Sequence, residues 1–176
     1  EVPDDVPDKT VMTEDLTKVE KGTGSFVANF TDAEGNPLAN TKVTFEINGG
    51  TYTRTTNANG QATFAVNLVA GTYTMVTTNP VTNESATNTI TVLPRFTEDS
   101  DLVKYFRNDS QYVLKVLDDD GNPAKAGEII TYNINGVFYN RTTNATGHVK
   151  LNINLPPDTY IITAEHKGCK VAHNVK

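Results

Sequence analysis

The sequence predicts an all-β protein built from two tandem β-sandwich domains, and three observations favour this fold class. The first is an internal duplication, because the motif-rich segment between Gly35 and Gly60 returns between Gly121 and Gly147. The two copies are offset by 86 residues at the first glycine and 87 at the second, and repeats of this length are whole domains, since the units of a solenoid are shorter. The second is a composition with 27 threonines and 19 asparagines, which favour strands and turns. The third is a series of short segments in which apolar and polar residues alternate, as in half-buried strands.

Alternation predicts about seven strands in each copy. In the first copy they lie at residues 11–19, 25–31, 43–47, 52–54, 62–68, 72–78 and 86–92. Equivalent apolar positions recur in the second copy, where Tyr112 takes the place of Phe26. Seven short strands separated by turns are the number expected of an immunoglobulin-like Greek-key sandwich, and no helix longer than one turn is expected.

Two local motifs are given structural roles in this fold. An Asn-Gly pair joins two strands in each copy, and this dipeptide tolerates the positive φ that a type I′ hairpin needs at both positions. A tyrosine follows a turn at the start of the sixth strand, where Greek-key sandwiches place a tyrosine corner. The residues concerned are Asn48, Gly49, Asn135 and Gly136 in the hairpin turns, and Tyr73 and Tyr160 in the corners.

The domain boundaries follow from the duplication. Residues 10–93 form the first predicted domain and residues 94–176 the second, with Pro94 ending the last strand of the first copy. So short a junction predicts an extended rod. Residues 1–9 are acidic and punctuated by prolines, so they are interpreted as a linker or frayed end, and the chain as a piece of a longer protein.

Composition argues against several classes of function. The formal net charge is -6 and no basic stripe is present, so no nucleic-acid partner is expected. No apolar run is long enough for membrane insertion of this fragment. The single cysteine, Cys169, excludes an intrachain disulfide. No Ser/His/Asp set, recurring pair of acids or phosphate-binding glycine loop is visible, so neither enzymatic activity nor a cofactor is expected.

The ordered motifs resemble those of a known family. Asp-x-x-Gly-Asn-Pro, Ile-Asn-Gly, Arg-Thr-Thr-Asn-Ala and Asn-Leu-x-x-Gly-Thr-Tyr are similar to the repeats of adhesin-like surface proteins of methanogenic archaea, which are related to the bacterial Ig-like domains of invasin and intimin. The resemblance covers nearly the whole chain, twice, and departs from the pattern at Pro156-Pro157-Asp158. It implies an extracellular, cell-surface protein whose repeats act as a stalk and as an adhesion module. We expect a monomer, with a cell-surface protein or glycan of another cell as its partner.

Two clusters are weighed as metal sites. Asp118, Asp119 and Asp120 supply oxygen ligands of the kind that calcium prefers, although their spacing is not that of an EF-hand, and a solvated turn is the favoured interpretation. His166, Cys169 and His173 carry zinc-ligand chemistry, but strand alternation places His166 and Cys169 on opposite faces. Surface histidines and an incidental thiol are favoured there, so no metal is expected.

Modification sites form a third group. Five Asn-x-Ser/Thr sequons predict glycosylation, at Asn29, Asn83, Asn108, Asn140 and Asn144. Lys18 and Lys104 occupy matching places in a repeated Asp-Leu-x-Lys motif. They are weighed as isopeptide-forming lysines, against the favoured interpretation of exposed strand lysines. Arg54 and Arg141 are expected to cover the open end of each sandwich with their aliphatic stems, rather than to line a ligand groove.

A carbohydrate-binding accessory module of a wall-degrading enzyme is the rival function. Such modules display exposed aromatic side chains, whereas this chain has no tryptophan. Phe138 is the single aromatic residue that alternation directs outward as a candidate ligand contact. For the adhesive function, an exposed strand edge or the turns at residues 57–60 and 144–147 are the expected contact faces.

Overall fold

The computed structural model describes residues 9–102 and 110–176. The predicted linker therefore lies outside the described residues, apart from Lys9. The chain forms two compact units. Of the described residues, the first unit comprises 9–17, Gly24–Asn67 and Gly71–Val92, and the second comprises Lys18–Thr23, Leu68–Ala70, 93–102 and 110–176. Every regular element of the described chain is a β-strand, so the all-β prediction is confirmed.

The first copy contains eight strands in two sheets. They are β1 (Val11–Thr13), β2 (Leu16–Val19), β3 (Ser25–Phe30), β4 (Lys42–Ile47), β5 (Gly50–Thr55), β6 (Gln61–Ala65), β7 (Gly71–Thr78) and β8 (Ser85–Leu93). One sheet has the order β1-β3-β6 and the other β2-β8-β7-β4-β5. The core between the sheets is aromatic, with the ring of Phe45 lying 6.1 Å from Phe26 and 5.7 Å from Phe64.

The described strands of the second copy follow the same order, except that a single bridge at Leu102 stands in the place of β2. Its strands are β9 (Phe96–Thr97), β10 (Gln111–Val116), β11 (Ile129–Ile134), β12 (Val137–Thr142), β13 (His148–Asn152), β14 (Tyr160–His166) and β15 (Cys169–Val175). One sheet has the order β13-β10-β9 and the other β12-β11-β14-β15. Tyr112 and Tyr132 stand where the first copy has phenylalanines, with their rings 6.0 Å apart, and burial raises the pKa of both phenols.

The prediction of a single leading strand over residues 11–19 is wrong. It is two strands, because the polar pair Glu14-Asp15 interrupts it and its halves join different sheets. β1 pairs with β3, whereas β2 lies beside β8. Val11 and Val19 are both buried, so each half contributes an apolar side chain to the core. The first two described strands are therefore end strands of two different sheets.

The Asn-Gly turns have the backbone conformation that a type I′ hairpin requires. φ is 52° at Asn48 and 75° at Gly49, and 54° at Asn135 and 79° at Gly136. These turns join β4 to β5 and β11 to β12. They also fix the register, so that outward and inward faces are set along both hairpins.

Candidate functional site

The three turn acids do not converge on one point. The Asp118 carboxylate accepts hydrogen bonds from the backbone N–H groups of Asp120 and Asn122, and so closes its own turn. Asp119 instead lies 2.8 Å from the guanidinium of Arg95, an arginine whose side chain is fully buried. The interpretation of all three acids as a solvated turn is therefore wrong for Asp119. Among the described residues, no group of three or more His, Cys, Asp and Glu side chains is arranged to hold a metal ion.

Asp119 is the counter-charge of a cationic cluster in the second unit. The Arg95 guanidinium also donates to the carbonyl oxygens of Leu117, at 3.1 Å, and Glu20, at 3.2 Å. This guanidinium holds the pKa of Asp119 below its usual value. Burial lowers the pKa of Lys18, and the negative charge of Asp119 opposes that shift. The interpretation of Lys18 as an exposed strand lysine is wrong, since only 4% of it is exposed. Lys104 lies outside the described residues.

The zinc candidates are separated, and two of them are buried. His166 and Cys169 face each other at the ends of β14 and β15, so the expectation of a surface histidine and thiol is wrong there. His166 Nδ1 lies 2.9 Å from the carbonyl oxygen of Ile129, and burial lowers the pKa of its imidazole. The thiol of Cys169 donates to the carbonyl oxygen of Glu20. His173 is elsewhere on β15, with Nε2 2.7 Å from the Asp99 carboxylate.

Of the five sequon asparagines, Asn108 lies outside the described residues. Asn83, Asn140 and Asn144 are exposed, while Asn29 is half-buried in β3. The side-chain oxygen of Asn144 accepts the backbone N–H groups of Thr146 and His148 and so closes the β12–β13 turn. The three exposed asparagines have room for an attached glycan.

The paired arginine and tyrosine residues cover the core at the β5 and β12 edges. The Arg54 guanidinium lies 5.0 Å from the centre of the Phe64 ring, and Tyr52 packs against the same ring. Arg141 lies 5.8 Å from the ring of Tyr139 in the second unit. The Tyr160 hydroxyl donates to the carbonyl oxygen of Pro156, four residues upstream, which is the contact that defines a tyrosine corner.

An aspartate clamp fastens the second strand segment of each copy to the last strand. Asp15, next to β2, accepts hydrogen bonds from the backbone N–H of Thr89 and the amide of Asn88. Asp101 accepts the backbone N–H of Asn174 in the same way. These hydrogen bonds lower the pKa of both carboxyls. The motif Asp-Leu-x-Lys drew attention to its lysine, whereas the aspartate makes the recurrent contact.

The outward faces of the two large sheets differ in chemistry. In the first unit, cross-strand pairs such as Thr44 with Thr53 and Thr74 with Thr89 cover the outer face with hydroxyl and methyl groups. In the second unit, Phe138 is 67% exposed, and Ile129 and Ile161 are exposed as well. The scaffold contacts therefore repeat while the outer surfaces diverge.

A groove in the first unit has a volume of about 600 Å³. Residues of β1 and the first half of β8 form its walls, with β3 contributing Val27 and Asn29. The side-chain oxygen of Asn88 is buried there and has no hydrogen-bond partner among the described residues. Sequence reasoning did not identify this groove, because its walls come from segments about 70 residues apart.

The strand order identifies the fold. In each copy the first strand, β1 or β9, lies in the smaller sheet. The next segment, β2 or Leu102, lies beside the last strand of the larger sheet. This strand order is that of an immunoglobulin-like β-sandwich in both copies. No family model matches the sequence, and no curated protein matches it. The described part of the chain has no helix long and apolar enough to cross a membrane.

Among solved structures, the immunoglobulin-like pair is similar to a Ca²⁺-stabilised adhesin that helps an Antarctic bacterium bind ice, with 23% identity and a TM-score of 0.36 over 95% of this chain and 47% of that one. It is also similar to the I9–I11 tandem of titin, at 14% identity and a TM-score of 0.45 over 95% of this chain and 65% of that one. A bacterial ice-binding adhesin of 1.5 MDa matches at 16% identity and a TM-score of 0.36, over 94% of this chain and 62% of that one. The chain spans about half to two thirds of these structures.

Proposed function

We propose that the two sandwiches are a non-enzymatic, load-bearing spacer and adhesion module of a cell-surface protein, of the kind implied by the resemblance to adhesin-like proteins of archaea. The observation that carries this proposal is the aspartate clamp, which recurs in both copies at the place where tension on the chain would act. Exposed sequons are consistent with a glycosylated extracellular setting.

The geometry of the clamp suits resistance to tension. Leu102 and Val175 form a parallel bridge, in which the Leu102 N–H donates to the Asn174 carbonyl and the Lys176 N–H donates to the Leu102 carbonyl. Tension pulls Leu102 toward its N-terminal side and β15 toward its C-terminal side. Because the two segments are parallel, these forces run along them in opposite directions. The hydrogen bonds are then loaded together in shear rather than opened one by one.

Removal of the clamp carboxylate is expected to lower the unfolding force of the second sandwich. In Asp101→Ala, the backbone N–H of Asn174 loses its side-chain acceptor while the Leu102 bridge remains. Single-molecule force spectroscopy on the two-domain chain measures the effect, with the first sandwich as an internal reference. Asp120→Ala is the matched control, since it removes the same charge from an exposed turn. Equal unfolding forces for Asp101→Ala and the unsubstituted chain would contradict the load-bearing role.

The exposed Phe138 favours a second function, namely carbohydrate binding by the outer face of the second unit. In that case Phe138→Ala abolishes retention of the protein in affinity gels that contain cell-wall polysaccharide, because stacking on a sugar ring needs the aromatic face. Val137→Ala, at a neighbouring residue that is 51% exposed, keeps the retention. The spacer proposal expects no retention for the unsubstituted protein or for either variant.

A further inference from the structure

The groove of the first unit lies between two strand edges. β1 is the end strand of its sheet, with β3 on its other side. β8 has β7 along its whole length, and β2 beside it. Asp15, which precedes β2, contacts Thr89, so β2 lies beside the later half of β8. Among the strands that the structure describes, none lies beside Ser85–Asn88 on the side away from β7.

Backbone polar groups of β1 point away from its partner strand. The N–H of Thr31 donates to the carbonyl of Thr10, so Thr10 and Thr31 form a hydrogen-bonded pair of the antiparallel ladder. Hydrogen-bonded and non-bonded pairs alternate along such a ladder. Met12 is therefore bonded to Asn29, while the N–H and C=O groups of Val11 and Thr13 point to the edge that lines the groove.

The same reasoning applies to β8. The N–H of Asn79 donates to the carbonyl of Glu84, which makes this a hydrogen-bonded pair of the β7–β8 ladder. By alternation, the backbone groups of Ser85, Thr87 and Thr89 point away from β7. The contact of Thr89 supports this orientation, because its backbone N–H donates to the Asp15 carboxylate. Ser85 and Thr87 thus present their N–H and C=O groups on the groove side of the strand.

The second unit differs at the corresponding place. His173 pairs with Ile162 as Asn88 pairs with Met75, so His173 takes the position of Asn88. Its Nε2 lies 2.7 Å from the carboxylate of Asp99, in the segment that leads to Asp101. The two units therefore differ in partner: His173 contacts Asp99, whereas the amide of Asn88 donates to Asp15 and its buried oxygen has no partner among the described residues.

The charge and shape of the groove indicate what fits it. Glu14 and Glu84 line it together with a single cation, Lys9. The described residues of the first unit hold six acidic and three basic side chains, so the surrounding field is negative. Met12 and Val27, which are 42% and 39% exposed, offer apolar contacts for alternate side chains of a bound strand. A volume of about 600 Å³ lies in the range that ligand sites occupy.

We propose that this groove binds an extended, positively charged peptide segment of a partner protein as an added β-strand. The edge groups of Thr13 and Thr87 supply main-chain hydrogen bonds, and Glu14 attracts the cationic side chains. The proposal is independent of the load-bearing role, because it concerns the open half of β8 and leaves the clamp at Asp15 unused.

The test is fluorescence anisotropy with a labelled peptide of alternating valine and lysine. A peptide of the same sequence with alternate backbone nitrogens methylated keeps the charge but lacks the N–H donors. We expect the methylated peptide to bind at least about tenfold more weakly, a factor equivalent to one or two lost hydrogen bonds. We expect Glu14→Gln to weaken binding about twofold to fivefold, as for an exposed charge pair. Glu46→Gln, on β4 outside the groove, should have no effect.

Thr87→Pro is a second test of the bound edge, because it removes an N–H that points away from β7 and keeps the β7 ladder. It should abolish binding, and thermal melting checks that the variant is folded. Equal affinity for the two peptides would overturn the proposal, since it would mean attraction by charge alone. Equal affinity of folded Thr87→Pro, or binding that appears only after removal of residues 1–8, would also overturn it. The last outcome would make the chain's own N-terminal segment the occupant.

Discussion

Asp119→Ala is expected to destabilise the second unit by about 3–5 kcal/mol, the range measured when one partner of a buried ion pair is removed. The substitution leaves the Arg95 guanidinium, which is fully buried, without its counter-charge at 2.8 Å. It also removes the negative charge that offsets the burial of Lys18. Native-state hydrogen exchange of core amides such as that of Leu114 measures the free energy of unfolding for this unit.

Two controls separate charge pairing from loss of side-chain contacts. Asp120→Ala, at the neighbouring exposed acid, should leave exchange in the core unchanged. The double variant Arg95→Met with Asp119→Ala should recover most of the loss, because apolar replacement of a buried pair is often nearly neutral. If the double variant is as unstable as Asp119→Ala alone, an uncompensated charge is not the cause. The pKa of Asp119 is lower in the folded protein than in the unfolded chain. The ionised carboxylate therefore stabilises the fold fully above the unfolded pKa, and this stabilisation is lost as pH falls through the folded pKa.

Gly60→Ala is expected to destabilise the first unit by about 2–5 kcal/mol, from two sources. φ at Gly60 is 75°, a left-handed conformation that costs an L-residue roughly 1–2 kcal/mol. A Cβ atom there would also lie 2.5 Å from the carbonyl oxygen of Phe30, and this overpacking adds about 1–3 kcal/mol. Hydrogen exchange of the β3 and β6 amides reports the loss.

Gly35 provides the matched control for this prediction. Its φ is 86°, but no atom lies within 4 Å of a Cβ built at that position. Gly35→Ala should therefore show only the conformational cost, about 1–2 kcal/mol. Equal losses for the two variants would show that the approach of Gly60 to the Phe30 carbonyl adds nothing.

Local patterns were sufficient to predict the fold. Alternation predicted the buried faces, because side chains on a strand alternate with a period of two and the duplication repeats each strand. The Asn-Gly turns were predictable for another local reason, because positive φ at two successive residues restricts the choice of side chain. The split of the first strand was missed because alternation cannot show which sheet a strand joins.

The cluster at Asp119 and the groove could not be predicted from the sequence. Arg95 is a charged residue beside a proline, and only tertiary contacts with Glu20 and Leu117 show that it is buried. Lys18 and His166 follow alternating patterns that fit either an exposed or a buried position. One sequence signal did point to a contact that recurs in both copies. The repeated Asp-Leu-x-Lys contains the clamp residues Asp15 and Asp101, but only its lysines were interpreted from the sequence alone.

The early crossover of the chain from β1 to β2 has a practical consequence for anyone who trims this protein. A recombinant fragment that starts at Glu14 would retain β2 but lack the strand that pairs with Ser25–Phe30. That segment, Ser-Phe-Val-Ala-Asn-Phe, is uncharged and rich in β-forming residues, and an uncovered strand of this type recruits other chains. Expression boundaries placed before Lys9 keep it covered and favour a preparation free of aggregates.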